Sequence, residues 1–217
     1  MTDSGPVICD CTDPQQRGPA LDEAVHTLAR GGLVVVPTDT VYGIAADAFN
    51  PAAVAALLSA KGRGRQMPPP VLVADQRTID GLCLDVPDAV RALTERFWPG
   101  GLTVICRSQP SLAWDLGETR GTVAVRMPDH PVALALLRRT GPLAVSSANR
   151  TGLPAATTAA EAADQLDVPI VLDAGPAPGG IASTIVDATA PTLRLVRAGA
   201  VGLDELRAVT PIEADAR

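Results

Sequence analysis

Short apolar runs and longer amphipathic stretches alternate along this 217-residue chain. The short runs are rich in Val, Ile and Leu and are typical of buried strands, whereas the longer stretches place Ala and Leu at helical spacing. The predicted strands are residues 33–36, 71–74, 102–106, 122–127, 143–146, 169–173, 183–187 and 193–197. The predicted helices are residues 20–30, 51–60, 87–98, 130–141, 158–166 and 203–209, and residues 41–47 are expected to be extended.

Capping residues mark the ends of several predicted helices. A glycine pair at 31–32 follows the first helix, where a left-handed C-cap is expected. Asn50 is a favourable N-cap, and Pro51 suits the first helical position. Thr158 and Glu161 have the spacing of a capping box. These signals support the helix boundaries independently of the hydrophobic pattern.

Strands and helices interleave through most of the chain, which is typical of an α/β protein with helices packed against a sheet. The last three strands follow one another without helices, so part of the sheet is expected to be antiparallel. The pattern predicts one domain over residues 1–217, with a core at about 20–206 and polar extensions at both ends. Because aromatic residues make up only 2%, the core must be built from Ala, Val, Leu and Ile.

Composition disfavours several classes of protein. A net charge of −6 and a pI near 4.9 argue against a protein that coats nucleic acid, although a local basic cavity is compatible with both. The cysteines lack the spacing of a zinc site, which favours reduced thiols. No apolar run reaches the ~18 residues that span a bilayer, and the N-terminus lacks the pattern of a signal peptide. We therefore expect a cytoplasmic protein without membrane contact.

Polar residues gather in four loops that adjoin the apolar strands. These loops are residues 37–40 (PTDT), 61–65 (KGRGR), 146–149 (SSAN) and 182–184 (AST). Loops at strand ends are where α/β sheets bind ligands. Arg126 and Arg197 add cations inside or at the end of apolar strands, where a buried guanidinium needs an anionic partner.

The KGRGR segment contains the only lysine of the chain, Lys61, followed by Arg63 and Arg65. Glycines let a backbone approach a ligand closely, and neighbouring cations are tolerated most easily when they face a polyanion. A solvated basic turn at a helix C-terminus explains the same residues equally well. The residues alone leave both interpretations open, because the chain has neither a GxxxxGKS/T phosphate loop nor a GxSxG nucleophile motif.

Six motifs, taken in order, resemble the YrdC-like family of threonylcarbamoyl-AMP synthases. They are PTDTVYGIAADA, KGRGR, FWPGGLTV, TVAVRMPDHP, SSANRTG and STIVDAT, and the resemblance extends from about residue 20 to residue 206. It implies an open, twisted, mixed β-sheet flanked by helices, with a cationic central cavity. It also implies a nucleotidyltransferase that forms threonylcarbamoyl-AMP and pyrophosphate from L-threonine, bicarbonate or CO2, and ATP.

By the same resemblance, the product passes to partner proteins that modify the adenosine beside the anticodon of tRNA. ATP is then a substrate, and Mg²⁺ is expected with it, through ligands that the sequence does not identify. The residues expected to bind ATP are Lys61, Arg63, Thr122, Ser147, Asn149 and Arg197, of which Lys61 and Arg63 are expected to be catalytic. The residues expected to hold threonine are Thr38, Arg126 and Ser183.

The expected reaction suits these residue types. Threonine carbamate must approach the α-phosphate while pyrophosphate departs, so preplaced cations matter more than a general base. Lys61 and Arg63 suit the phosphates, whereas the planar fork of Arg126 suits an amino-acid carboxylate. The labile product also requires that water be kept out of the site.

The chain departs from the family pattern in the second half of the KGRGRQMPPP loop. Met67 stands where many members have Asn, Pro69 interrupts an Asn-Pro-Leu sequence, and residues 73–74 lack a frequent histidine. Ala155 replaces a frequent serine. We expect the contacts of this loop to differ, and we expect the proline run 68–70 to stiffen a loop that covers the site.

Two other functions stay open at the level of the sequence. One alternative is a non-catalytic module of the same fold that binds double-stranded RNA or tRNA in the cationic cavity. Weak RNA binding would be the property that indicates it. The acidic total and the scarcity of stacking aromatic residues count against it. A paralogue would act on another carbamoyl-adenylate, but the chain contains no fused acylphosphatase or zinc-finger segment of the kind that accompanies that activity.

Overall fold

The computed structural model describes residues 5–214. Its strands are β1 (Val7–Asp10), β2 (Val34–Val36), β3 (Gly43–Asp47), β4 (Val71–Leu72), β5 (Leu102–Arg107), β6 (Thr122–Arg126), β7 (Leu143–Ser147), β8 (Ile170–Asp173), β9 (Thr184–Asp187), β10 (Leu193–Arg197) and β11 (Ile212–Glu213). Its helices are α1 (Gly18–Ala29), α2 (Pro51–Ala60), α3 (Ile79–Leu82), α4 (Asp88–Phe97), α5 (Pro131–Thr140), α6 (Ala159–Gln165) and α7 (Leu203–Arg207). Every predicted helix and strand is present, with ends that differ by a few residues.

The strands of residues 5–214 form one mixed sheet in the order β1-β8-β2-β3-β7-β4-β6-β5-β9-β10-β11. The parallel pairs are β1/β8, β2/β8, β4/β6, β5/β9 and β10/β11, and the antiparallel pairs are β2/β3, β3/β7, β4/β7, β5/β6 and β9/β10. The predicted α/β sheet is confirmed, but antiparallel pairing extends well beyond the last strands. The connection between β2 and β3 is too short for a crossover helix, so β3 folds back on β2.

Two edge strands, β1 and β11, are absent from the hydrophobic pattern. The side chains of β1 are mostly exposed, and β11 contains only two residues. An edge strand needs one hydrogen-bonded neighbour and can bury little side-chain surface. The apolar run of β1 has only three residues, 7–9, and β11 has a single apolar residue, so both fall below the length from which a strand can be predicted.

Strand β2 shows how the sheet is covered on both faces. Val34 and Val36 pack in a core with α1 and α5, whereas Val35 packs in a core with α2 and α6. Successive residues of a strand point to opposite faces, which explains why this strand is apolar throughout. A third core lies between α3, α4 and α7 and the strands β5, β6 and β9. Within residues 5–214, no helix has the length and apolar character needed to cross a membrane.

Helix α2 carries the chain into the KGRGR loop, and its N-terminus is capped as predicted. The side chain of Asn50 accepts hydrogen bonds from the backbone N–H groups of Ala52 and Ala53, both at 3.1 Å. Pro51 occupies the first helical position, and the helix ends at its C-cap residue, Lys61. The capping box of α6 and the positive φ angle of the glycine after α1 are confirmed as well. Firm anchoring of α2 therefore fixes where the loop begins.

Replacing Asn50 tests this anchoring. We expect Asn50→Ala to lower the free energy of unfolding by about 1 kcal/mol, because two N–H groups at the start of α2 lose their acceptor. Asn50→Asp keeps a capping oxygen and should stay within about 0.5 kcal/mol of the wild type. Urea unfolding of the three proteins measures both values. Equal losses in the two variants would contradict the capping role.

Candidate active site

A cavity of about 330 Å³ lies against the central strands of the sheet, within the size range of small-molecule sites. It is lined by residues from the β2–β3 turn, the loop before β4, strands β5, β6 and β7, and the segments at β9 and β10. Of the site residues predicted from the sequence, the cavity is lined by Thr38, Arg63, Thr122, Arg126, Ser147, Ser183 and Arg197. The two others, Lys61 and Asn149, are buried outside its lining.

Lys61 is only 1% exposed, and its ammonium group is occupied by the SSAN turn. It donates to the backbone oxygen of Ser147, to the backbone oxygen of Asn149 at 2.7 Å and to Asn149 Oδ1 at 3.3 Å. Burial, and next the charge of Arg63, lowers the pKa of Lys61 to about 7. An ammonium has three donors, so all of them have protein acceptors. Among the described residues Lys61 holds the turn that follows β7, and the phosphate contact that the family resemblance implies for it stays a prediction.

Asn149 completes this turn and does not face the cavity. Its Nδ2 group donates to the backbone oxygens of Arg150 at 3.0 Å and Leu153 at 2.9 Å, while Oδ1 accepts from Lys61. Both the NH₂ group and the oxygen of this amide are therefore hydrogen-bonded to other groups of the protein. Lys61 and Asn149, which are far apart in the sequence, therefore form one hydrogen-bonded unit, and the contact of Asn149 with ATP stays a prediction.

Arg63 does line the cavity, and its guanidinium is incompletely satisfied. One terminal nitrogen donates to Ser146 Oγ at 3.0 Å. Its Nε is the one buried side-chain nitrogen or oxygen in residues 5–214 that has no hydrogen-bond partner. Burial lowers the pKa of Arg63 from its ordinary value. Leaving a buried donor unpaired costs about 1–3 kcal/mol, more for a charged group, and Ser146 supplies the single side-chain acceptor of this guanidinium among the described residues.

Arg126 is 6% exposed and is held from three directions. Nε donates to the backbone oxygen of Gly100 at 2.9 Å, Nη1 to Thr40 Oγ1 at 2.9 Å, and Nη2 to Asp39 Oδ1 at 2.5 Å. A guanidinium has five N–H donors, so one remains on each terminal nitrogen. Two donors on adjacent nitrogens match the two oxygens of a carboxylate. Arg126 thus has the arrangement of a carboxylate clamp, with two donors that no acceptor among the described residues uses.

A directed chain of hydroxyl groups orients this clamp. The Thr38 hydroxyl donates to the backbone oxygen of Val41 at 2.6 Å, so its proton is used there. The Thr40 hydroxyl, 3.0 Å away, must then donate to Thr38 Oγ1, and it accepts from Arg126. The backbone N–H of Thr40 also donates to Thr38 Oγ1. Thr38 lines the cavity as predicted, but its hydroxyl is saturated by the turn and acts through Thr40, a residue that sequence reasoning missed.

Ser183 and Arg197 form the opposite wall, together with a second missed hydroxyl. Thr103 Oγ1 lies 2.8 Å from Ser183 Oγ, and Arg197 Nη2 donates to Ser183 Oγ at 3.1 Å and to its backbone oxygen at 2.7 Å. Arg197 Nε donates to the same backbone oxygen at 3.0 Å, which leaves Nη1 without an assigned partner. Thr103 belongs to the apolar strand β5, where the sequence pattern predicts that a β-branched residue packs in the hydrophobic core. Its inward-facing hydroxyl could be expected only once the strand register was known.

The cavity is lined by three arginines, and no Asp or Glu occurs among its described lining residues. Burial lowers the pKa of Arg126; the Asp39 carboxylate opposes that shift and the charge of Arg197 adds to it. Burial, and then the charge of Arg63, lowers the pKa of Arg197. These like charges share one cavity with a single adjacent carboxylate, so the site is built for anionic ligands.

The rest of the KGRGRQMPPP loop is tied to the loop between β5 and β6. Arg65 donates to both carboxylate oxygens of Asp115, at 2.8 and 3.0 Å, and its backbone oxygen accepts from the N–H of Glu118 at 2.8 Å. The prolines at 68–70 line the cavity, whereas Met67 is 44% exposed. Arg65 therefore belongs to a loop-to-loop contact, unlike Arg63, which faces the cavity.

The described residues do not fit a protein-held metal ion. Residues 5–214 contain no group of three His, Cys, Asp or Glu side chains that could ligate one. Because the cavity lining also lacks carboxylates, it does not offer the oxygen ligands that Mg²⁺ takes from proteins.

The described residues thus combine an α/β sheet with a cavity that is lined by three arginines and by no Asp or Glu, a lining whose charge suits small anions. A family model described as "Telomere recombination", for Sua5, YciO and YrdC proteins, matches residues 26–199. A Mycobacterium tuberculosis protein, which carries the name threonylcarbamoyl-AMP synthase in provisional form, is 52% identical over 207 residues, covering 94% of this chain and 95% of that protein. This chain belongs to the Sua5/YciO/YrdC family.

More distant relatives agree in sequence and in structure. A Bacillus subtilis threonylcarbamoyl-AMP synthase is 39% identical over 213 residues, which cover 95% of this chain and 61% of that protein. The crystal structure of P. abyssi Sua5 complexed with L-threonine superposes with a TM-score of 0.89 at 32% identity, covering 95% of this chain and 62% of that chain. The predicted family and its fold are confirmed.

The position of Lys61 leads to a prediction about the ligand-free protein. Lys61→Met keeps the length and apolar stem of the side chain but removes the ammonium that holds the SSAN turn. Hydrogen bonds to a charged group contribute about 1.5–3 kcal/mol, so amide hydrogen exchange at Ala148, Asn149 and Thr151 should quicken at least about tenfold. Arg65→Met removes a cation from the same loop and should leave these amides unchanged. Unchanged exchange in Lys61→Met would contradict the holding role.

Proposed function

We propose that this chain is an L-threonylcarbamoyladenylate synthase, which forms threonylcarbamoyl-AMP and pyrophosphate from L-threonine, bicarbonate or CO2, and ATP. The observation that carries the proposal is the pairing of a carboxylate clamp at Arg126 with an unsatisfied guanidinium at Arg63 in one cavity. The names of the relatives from B. subtilis and P. abyssi support it, as does the P. abyssi complex with L-threonine.

The threonine end of the site is assigned to Arg126 and Ser183, oriented through Thr38 and Thr40. The two free N–H groups of Arg126 would bind the threonine carboxylate in a fork. Ser183 Oγ lies within hydrogen-bond distance of both Thr103 and Arg197, so it is held in place to bond the amine or side-chain hydroxyl of the substrate. A site that bonds a substrate hydroxyl rejects analogues that lack it.

The ATP end is assigned to Arg63, Arg197, Ser147 and Thr122, with Lys61 and Asn149 holding the turn that carries Ser147. In the chemical step, a carbamate oxygen attacks the α-phosphorus while the bond to the departing pyrophosphate breaks. Negative charge then grows on the leaving group, and guanidinium groups already in place stabilise it without rearrangement. We assign the stabilisation of this charge to Arg63, because it lines the cavity and its guanidinium has one side-chain acceptor among the described residues, the hydroxyl of Ser146.

The remaining participants follow from the chemistry of the substrates. Mg²⁺ would enter with ATP, held by phosphate oxygens and water, since the cavity lining offers it no carboxylate. Bicarbonate or CO2 supplies the carbamate carbon. The mixed anhydride is labile, so we propose that tRNA-modification proteins of the cytoplasm take it up to modify the adenosine beside the anticodon.

The assay that tests the proposed function is pyrophosphate release from ATP, with L-threonine and bicarbonate each supplied or withheld. We expect release only when both are present, because the leaving group departs only when a carbamate attacks. Release that ignores threonine would contradict the proposal. Salt-sensitive RNA binding without any turnover would instead support the non-catalytic RNA-binding module.

Replacement of Arg63 tests the phosphate end. Arg63→Met should lower kcat at least about 100-fold, since removing one preplaced charge stabiliser from an active site costs 10²–10³ in rate. Arg65→Met, two residues away, removes a cation that pairs with Asp115 outside the cavity and should leave kcat within about twofold. Similar losses in both variants would show that general loop disruption, rather than a contact of Arg63, causes the effect.

A further inference from the structure

We propose that Asp39 is a positioning and specificity-determining residue, which reserves Arg126 for the amino-acid carboxylate by neutralising its charge. Phosphate groups are thereby left to Arg63 and Arg197. This inference rests on the proposed function and concerns the same cavity. It assigns a role to the acidic residue of the PTDT turn, whose side chain lies behind the arginine instead of lining the cavity.

Asp39 is fixed from two sides. Its Oδ1 atom accepts from Arg126 Nη2 at 2.5 Å and from the backbone N–H of Asp129 at 3.0 Å. The Asp39 side chain is only 16% exposed, and that of Arg126 is 8% exposed. Its backbone is also covered, because a Cβ atom on Gly179 would lie 2.6 Å from the Asp39 carbonyl oxygen. The backbone that carries this carboxylate therefore packs directly against Gly179.

The three cavity arginines differ in charge because of this pair. Arg126 has a carboxylate partner, so the pair carries no net charge. Arg63 bonds to the neutral hydroxyl of Ser146, and Arg197 bonds to the backbone oxygen and hydroxyl of Ser183, so both keep their full charge. A polyphosphate gains most from groups that keep a net positive charge. The division of charge thus separates a phosphate end from a carboxylate end.

The neutral pair can still bind a carboxylate. Arg126 retains one free donor on each terminal nitrogen, and its orientation is set by Gly100, Thr40 and Asp39. A carboxylate is planar and has two oxygens, so it can accept one hydrogen bond from each of these donors even though the pair has no net charge. A tetrahedral dianion gains less there, because the Asp39 carboxylate repels its second charge. Selection between the two anions therefore depends on the charge of Asp39 as well as on its hydrogen bonds.

The other charged or titratable groups near the pair of Asp39 and Arg126 are Arg17, Asp129, His130 and Arg197. Among these described residues, none besides Asp129 donates a hydrogen bond to Asp39. His130 lies close enough to feel the Asp39 charge, but burial lowers its pKa, and its Nδ1 accepts from the backbone N–H of Val132 at the start of α5. Asp129 contributes its backbone N–H to Asp39. Arg197 faces Arg126 from the opposite wall. The charge of Arg126 is thus balanced by Asp39.

The test measures L-threonine binding by titration calorimetry, with and without sulfate as a tetrahedral dianion, in the wild type and in Asp39→Asn. The variant keeps an oxygen for the two hydrogen bonds but removes the charge. In the wild type, sulfate should leave the threonine Kd within about twofold. In Asp39→Asn the same sulfate concentration should raise that Kd at least about tenfold, since Arg126 regains a net charge. Asp39→Glu, which restores the charge, should behave as the wild type does.

The outcomes separate this inference from the proposed function. A wild type that binds no threonine would overturn both. A wild type that binds threonine, but whose Kd responds to sulfate as strongly as that of Asp39→Asn, would overturn only the role of Asp39. Sulfate should weaken ATP binding equally in the two proteins, because Arg63 and Arg197 are unchanged. If thermal melting shows that Asp39→Asn does not fold, Asp39→Ser keeps a hydroxyl acceptor and gives the same comparison.

Discussion

Three guanidinium groups share one small cavity, and only one of them has a carboxylate partner. Arg126 is buried, Arg63 is half-buried and Arg197 is exposed at the end of its strand. The charge of Arg197 lowers the pKa of Arg126, and the charge of Arg63 lowers the pKa of Arg197. Such an arrangement is unfavourable in the empty protein unless the surrounding backbone and hydroxyl oxygens hold the groups in place. Bound anionic substrates would offset the repulsion between these charges, so we expect the cavity to favour anions.

The sheet makes this arrangement possible by joining distant parts of the chain. Arg126 ends β6 near the centre of the sheet, Arg197 ends β10 near one edge, and Arg63 lies in the loop that α2 delivers. Hydroxyl groups then hold the guanidinium groups from the side, through Thr40 on Arg126 and through Ser183 on Arg197. These bonds leave one donor unused on each terminal nitrogen of Arg126.

Much of the fold could be predicted because apolar runs and capping residues are local signals. Asn50 caps α2 in the structure for the reason that its position in the sequence suggests. The edge strands β1 and β11 could not be predicted, because their apolar runs, of three residues and one residue, are too short to distinguish from a loop. Most residues of the candidate site could be named only because ordered motifs resemble a known family.

The roles of those residues required coordinates. Lys61 and Asn149 carry the strongest motif signal, yet they bond each other behind the cavity, because α2 ends directly beneath the turn after β7. Thr103 lies in an apolar strand, where sequence alone cannot distinguish an inward hydroxyl from a core methyl group. Asp39 looks like an ordinary turn residue until its partner, 87 positions away in the sequence, is known.

A crystal structure of the chain with bound L-threonine would test the central claim most directly, which is that charge in the cavity is divided between a carboxylate end and a phosphate end. We expect the threonine carboxylate to lie about 2.7–3.2 Å from both terminal nitrogens of Arg126, with Asp39 still bonded to that arginine. A carboxylate bound instead to Arg63 or Arg197, or one that displaces Asp39 from Arg126, would contradict this division.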